Sequence, residues 1–188
     1  MRIRLRELRQ VISEEAVTVT SLPKNVKFFE SGDDYVHYIY LVDAGQMPDV
    51  EAALLGGISV SDYGGPWGVG SVSAHQGYGP LLYRLAMEWV AENAGGRGLT
   101  KNRGGETSDA ASRVWQKFDA VRNDPASKIS LAGEPADREY VSRSGELKKM
   151  RTRWIQLTPA QVNLAWGMLT DLSIGGQPRY DDESEEVT

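Results

Sequence analysis

The period of the apolar positions changes several times along this chain, and the changes mark its elements. Residues 35–43 (Tyr-Val-His-Tyr-Ile-Tyr-Leu-Val-Asp) are almost all β-branched or aromatic, which predicts a strand. Both faces of that strand are apolar, so it belongs in the middle of a sheet. Residues 26–30 predict a short strand before it, with Ser31-Gly32-Asp33-Asp34 as the turn. Residues 52–60, interrupted by Gly56-Gly57, and residues 67–74 predict the two arms of a hairpin, with residues 62–66 at its tip. The period then becomes helical. Residues 80–93 carry Leu81, Leu82, Leu85, Met87, Trp89 and Val90 as a broad apolar stripe, and Gly95-Gly96 ends it.

Residues 98–100 predict a very short strand and residues 101–106 a polar loop. Ser108 is a good N-cap for a helix reaching about Val121, with Ala111, Val114, Trp115 and Phe118 on one face. Residues 122–150 give no readable pattern. Residues 153–157 predict a late strand. Thr158-Pro159 then opens a last helix, expected to bury Val162, Leu164, Ala165, Met168 and Leu169. Residues 1–22 fit a strand (Ile3, Leu5) or a helix (Leu5, Leu8, Val11, Ile12) equally well. The layout is of the α/β (α+β) class: a mixed, mostly antiparallel central sheet flanked by helices. It fits a single domain over residues 1–178, followed by an acidic tail, residues 179–188, expected to be disordered.

Composition narrows the chemistry. The chain has no cysteine and two histidines, which excludes thiolate catalysis and disulfides and argues against a multi-histidine metal centre. A net charge of −5 counts against a protein that clamps nucleic acid over its whole surface, but not against a local basic patch. No signal-peptide pattern or apolar run long enough to span a membrane is present, so the expected setting is cytoplasmic, with no membrane partner.

The stretch Ala74-His75-Gln76-Gly77-Tyr78-Gly79-Pro80-Leu81-Leu82-Tyr83 carries the strongest functional signal. A strand feeds a turn with two glycines, and the turn opens into a helix. Main-chain N–H groups and the positive end of the helix dipole make such a turn an anion site. The expected ligand is the pyrophosphate of a coenzyme. Downstream, Ser108-Asp109-Ala110-Ala111-Ser112-Arg113-Val114-Trp115-Gln116-Lys117-Phe118 forms a second marked segment.

These two segments resemble the GCN5-related N-acetyltransferase family over roughly residues 50–120. That family couples a strand, a turn of the form Arg/Gln-x-x-Gly-x-Gly/Ala and a helix. Gly77 and Gly79 stand at the two glycine positions, while Ala74 replaces the Arg/Gln. In the second segment Ser108 replaces an asparagine that commonly touches the coenzyme. Trp115 replaces a tyrosine that commonly protonates the departing thiolate, which an indole cannot do. The stretch Gly79-Pro80-Leu81-Leu82-Tyr83, with Asn102-Arg103-Gly104 and Val114-Trp115, is also similar to acetyltransferase-like proteins of bacteriophages. For a phage-encoded member the setting would be the host cytoplasm.

The resemblance implies acetyl-CoA or another acyl-CoA as cosubstrate and an amine, not identified by the sequence, as acceptor. It implies Val72, Ala74, Gln76, Gly77, Tyr78, Gly79, Ser108 and Trp115 as coenzyme contacts, with the sheet splaying beside residues 67–74 to admit the thioester. Candidates for moving the acceptor's proton are His75, Glu51, Asp62 and Glu106, and Tyr83 or Tyr78 for donating one to the thiolate. Arg97, Lys101, Asn102 and Arg103 form a basic cluster suited to a 3′-phosphate or a polyanion, and residues 148–154 form another with one aromatic beside it. Trp67 is a candidate for substrate stacking. Two further readings stay open: a non-enzymatic structural or interaction protein on the same scaffold, and a DNA-base-modifying enzyme. The oligomeric state is open.

Overall fold

The aromatic run that begins at Val36 lies between two partners, as its two apolar faces require. A computed structural model describes residues 17–62, 66–75, 77–101, 107–122, 124–132 and 139–171. Strands β1 (Val26–Gly32), β2 (Val36–Asp43), β3 (Leu54–Ser61) and β4 (Gly68–Ala74) form an antiparallel sheet in that order. Alternation along β2 sends Ile39 and Leu41 into one core, and Tyr40 and Val42 into the other. The sheet is therefore covered on both faces.

Helices α1 (Val50–Ala53), α2 (Gly79–Asn93), α3 (Asp109–Val121), α4 (Glu146–Arg151) and α5 (Pro159–Asp171) supply the cover. The first core joins the sheet to α2, α3 and α4 through residues such as Phe28, Leu85, Trp115, Phe118 and Met150. The second joins the opposite face to α1 and α5 through Phe29, Tyr40, Ala165 and Leu169.

Caps fix several boundaries. The Ser108 hydroxyl accepts from the Ala111 N–H at 3.2 Å and starts α3. Thr158 and Gln161 exchange side-chain and main-chain bonds of 2.8 and 3.3 Å, a capping box that starts α5. Asp49 caps α1 through the Ala52 N–H, so residues 52 and 53, expected in a strand, are helical and β3 begins at Leu54. Leu164, expected on the buried side of α5, is 60% exposed, because that helix buries Ala165 and Leu169 instead.

The unreadable stretch holds a 3₁₀ turn (Pro125–Ser127), the hairpin β5 (Ile129–Ala132) and β6 (Glu139–Ser142), and α4. The two strands span only four residues each, too few to show a period. Leu99 bridges to Tyr140 of β6, and Thr100 bridges in parallel to Gly68 of β4. The late strand expected at residues 153–157 reduces to one parallel bridge, Trp154 to Phe28. There Phe28 donates to the Arg153 carbonyl (3.0 Å) and Ile155 donates to that of Phe28 (2.9 Å). That segment covers the outer edge of β1. Among the described residues no helix is long and apolar enough to cross a membrane. Residues 1–16 and the acidic tail lie outside the described residues.

Candidate functional site

On the far edge of the sheet, main-chain groups of β4 have no strand partner among the described residues. On its inner side β4 pairs Gly56 with Ala74, Gly57 with Ser73 and Ile58 with Val72. The His75 N–H continues this ladder to the Leu55 carbonyl at 2.9 Å. In an antiparallel ladder the bonded pairs alternate. Bonding at His75 and Ser73 therefore turns the N–H and C=O groups of Val72 and Ala74 toward the outer edge. Their side chains rest on the first core.

At the other end of β4 the outer edge is closed. The Thr100 N–H and hydroxyl both donate to the Trp67 carbonyl, at 2.8 and 3.0 Å. Among the described residues no other bridge forms along this edge. The segment entering at Leu99 is thus pinned to the start of β4 by Thr100, and its described part ends at Lys101.

That open end leads into the glycine turn. Gly77 has φ +94°, a left-handed conformation that favours glycine, and the Val17 side chain lies 3.4 Å from where a Cβ would stand. Gly79 has open space where a Cβ would stand. The turn is closed by the Tyr78 N–H donating to the His75 carbonyl at 3.2 Å, so that amide is spent. The helix ladder begins with Leu82 donating to Tyr78. Ahead of it lie the N–H groups of Gly79 and Leu81, which bond to no described residue, and Pro80, which has none to offer. Among the described residues the cradle lacks the Tyr78 amide and keeps those of Gly77, Gly79 and Leu81, with the dipole behind them.

The other candidate residues separate by position. His75 is exposed at the end of β4, and Glu51 is exposed in α1, just before the β3 start that pairs with it. The structure brings these two to the same end of the sheet as Gly77 and Gly79. Asp62 follows the other end of β3, where its N–H donates to Tyr35. Seven residue steps along the strand separate it from Leu55, about 23 Å. Asp62 is therefore not part of this site. Gln76 and Glu106 lie outside the described residues.

Three aromatic expectations are corrected by burial. Tyr83 is 2% exposed, and burial pushes its phenol up to about 12, so it is a core residue instead of a proton donor at the gap. Trp115 is equally enclosed, against Tyr83, Phe118 and Tyr140, and cannot face a coenzyme. Trp67 is buried edge-on against Trp89 and offers no stacking surface. Tyr78 is half-buried on the first core, and the Ser108 oxygen is engaged by its cap. In the basic cluster Arg97 pairs with Glu139 at 3.0 Å. Lys101 pairs with Asp119 at 3.5 Å and sits 5.9 and 5.7 Å above the rings of Trp115 and Tyr140. Burial alone would raise the Asp119 carboxyl, but the Tyr140 hydroxyl and Lys101 outweigh it and hold it below its usual range.

A buried polar network behind the turn went unread in the sequence. Arg84 and Glu88 project from α2 into the first core. Arg84 binds Glu146 at 2.6 Å and the Val17 carbonyl at 2.6 Å. Since the Val17 side chain covers Gly77, Arg84 ties that cover to α4. The available signal was two opposite charges four residues apart within the broad apolar stripe of residues 81–90. The chain matches no protein-family model, no curated protein and no solved structure.

Proposed function

We propose that this chain is an acyl-CoA-dependent N-acyltransferase. The observation that carries the reading is the outer edge of β4: pinned at Gly68 by Thr100, without a bridge at Val72 and Ala74 among the described residues, and followed by the Gly77–Gly79 turn. In this reading the pyrophosphate lies on the Gly79 and Leu81 amides. The acyl arm lies along β4, and an outward N–H of Val72 or Ala74 polarises the thioester carbonyl. The acceptor amine attacks that carbon, a C–N bond forms, and the C–S bond breaks to release the thiolate. His75 or Glu51 takes the amine's proton, directly or through a water. Alignment supplies much of the rate.

A second reading, a binding protein on the same scaffold, draws on the burial of Tyr83 and Trp115 and on the spent Tyr78 amide. Thermal melting with acetyl-CoA separates the two. At about 100 times its dissociation constant a ligand adds about 2.7 kcal/mol, some 5–10 °C for a chain of this size. Gly79→Asp is expected to remove that shift through charge repulsion. The melting point without ligand should be preserved, because the position is open and its φ is ordinary. No shift in the unaltered protein overturns the transferase reading.

A further inference from the structure

The glycine turn is backed by a segment that precedes the whole sheet. A methyl carbon of Val17 stands 3.4 Å from where a Gly77 Cβ would lie. Arg84, buried in α2, donates to the Val17 carbonyl at 2.6 Å and to Glu146 of α4 at 2.6 Å. Glu146 also accepts from the Val19 N–H at 3.4 Å. Arg153 donates to the carbonyls of Val19 (3.3 Å), Leu22 (3.4 Å) and Pro23 (2.7 Å). Residues 17–23 thus form a strap tied to α2, to α4 and to the chain just after α4, and the strap begins against the turn.

The turn itself is lightly held. Among the described residues one main-chain bond closes it, from Tyr78 to His75 at 3.2 Å. Gly77 lies inside that bond with φ +94°, and glycine takes positive and negative φ with similar ease. Between the two common forms of such a turn the sign of this φ reverses, and the N–H of the same residue turns over. The direction of the Gly77 donor therefore depends on what packs against the turn.

We infer that the strap presets the anion cradle, with Val17 and Arg84 as positioning residues: Val17 restricts the Gly77 backbone, and Arg84 fixes Val17. The inference rests on reading the turn as an anion site. Arg84 acts here through the main chain and not as the anion's counter-charge, because Glu146 accepts from it at both oxygens, at 2.6 and 3.4 Å. A turn ordered in advance spares a diphosphate the cost of ordering it on binding.

The test is solution NMR of the full chain, unaltered and as Val17→Ala, Val17→Ile and Arg84→Gln. Val17→Ala removes the covering methyl and keeps the main-chain bond to Arg84. The amide order parameters of Gly77 and Gly79 should fall from about 0.85 to below about 0.6 in Val17→Ala and Arg84→Gln, and hold in Val17→Ile. Titration with inorganic pyrophosphate, followed at the same amides, should show about tenfold weaker binding in Val17→Ala, the equivalent of ordering one backbone residue. Arg84→Gln strands a buried carboxylate and can fail to fold, so Val17→Ala is the deciding variant. Order parameters or pyrophosphate affinity unchanged in Val17→Ala overturn the inference. So do turn amides of the unaltered protein that do not respond to pyrophosphate. An unaltered chain that takes pyrophosphate at the turn but not CoA ends the transferase reading and leaves this inference standing. CoA bound equally well by the unaltered chain and by Val17→Ala ends this inference and leaves that reading standing.

Discussion

Replacing Glu88 with alanine should cost about 4 kcal/mol of folding stability. Glu88 sits in α2, 6% exposed, and its carboxylate receives four hydrogen bonds from the stretch that leads into α4. Oε1 accepts from the hydroxyls of Ser142 (3.1 Å) and Ser144 (2.5 Å) and from the Gly145 N–H (3.0 Å). Oε2 accepts from the Leu147 N–H at 2.8 Å. The N-cap of α4 is Gly145, which has no side chain, so Glu88 performs the capping from another helix. On truncation the two serine hydroxyls can turn to each other and to Glu146, contacts already present at 3.2 and 3.3 Å. The two main-chain donors cannot turn. Each stranded N–H costs about 1–3 kcal/mol, which sums to about 4. That is a large share of the roughly 5–15 kcal/mol typical of a domain. Glu88→Gln keeps one acceptor oxygen and should lose about half as much. Urea unfolding followed by tryptophan fluorescence and by circular dichroism measures both. A loss below about 1 kcal/mol for the alanine variant, or a glutamine variant worse than alanine, would refute the capping argument.

Tyr40 is fully buried and its hydroxyl has no hydrogen-bond partner among the described residues, so Tyr40→Phe should stabilise the protein by about 1 kcal/mol, read as a higher melting temperature. A lower one would show that the phenol is paired. For Glu30, burial alone would raise the carboxyl, but hydrogen bonds from His37 and Arg151 hold it below its ordinary value. A depressed carboxyl contributes stability that is present above the unfolded value, about 4.3, and drains away as pH falls through the folded one. Glu30→Gln should therefore flatten the acid limb of a stability–pH curve below about pH 5, and an unchanged limb would remove Glu30 from the account.

Most of the scaffold was legible because its signals are local. A cap and the amide it serves are three residues apart, as at Ser108 and Ala111 or Thr158 and Gln161, so α3 and α5 start where the sequence places them. The run in β2 announces a central strand because both faces must be covered wherever it goes. The site was half legible. The strand, the turn and the helix were readable, but the donor count was not, since the Tyr78 amide closes its own turn only once the chain bends.

What tertiary structure alone decided is which polar and aromatic groups are inside. Nothing near Glu88 in the chain shows that its partners lie 54–59 residues away. Nothing near Trp115 shows that Tyr83 and Tyr140 close over it. Asp62 and His75 were both candidates for one site, yet antiparallel pairing sets the start of β3, not the end that Asp62 follows, beside the end of β4 that leads to His75. Helix and strand type follow from backbone sterics and side-chain spacing within a few residues, which any stretch of sequence carries. Burial depends on contacts between segments far apart in the chain, and these exist only after the layers have packed.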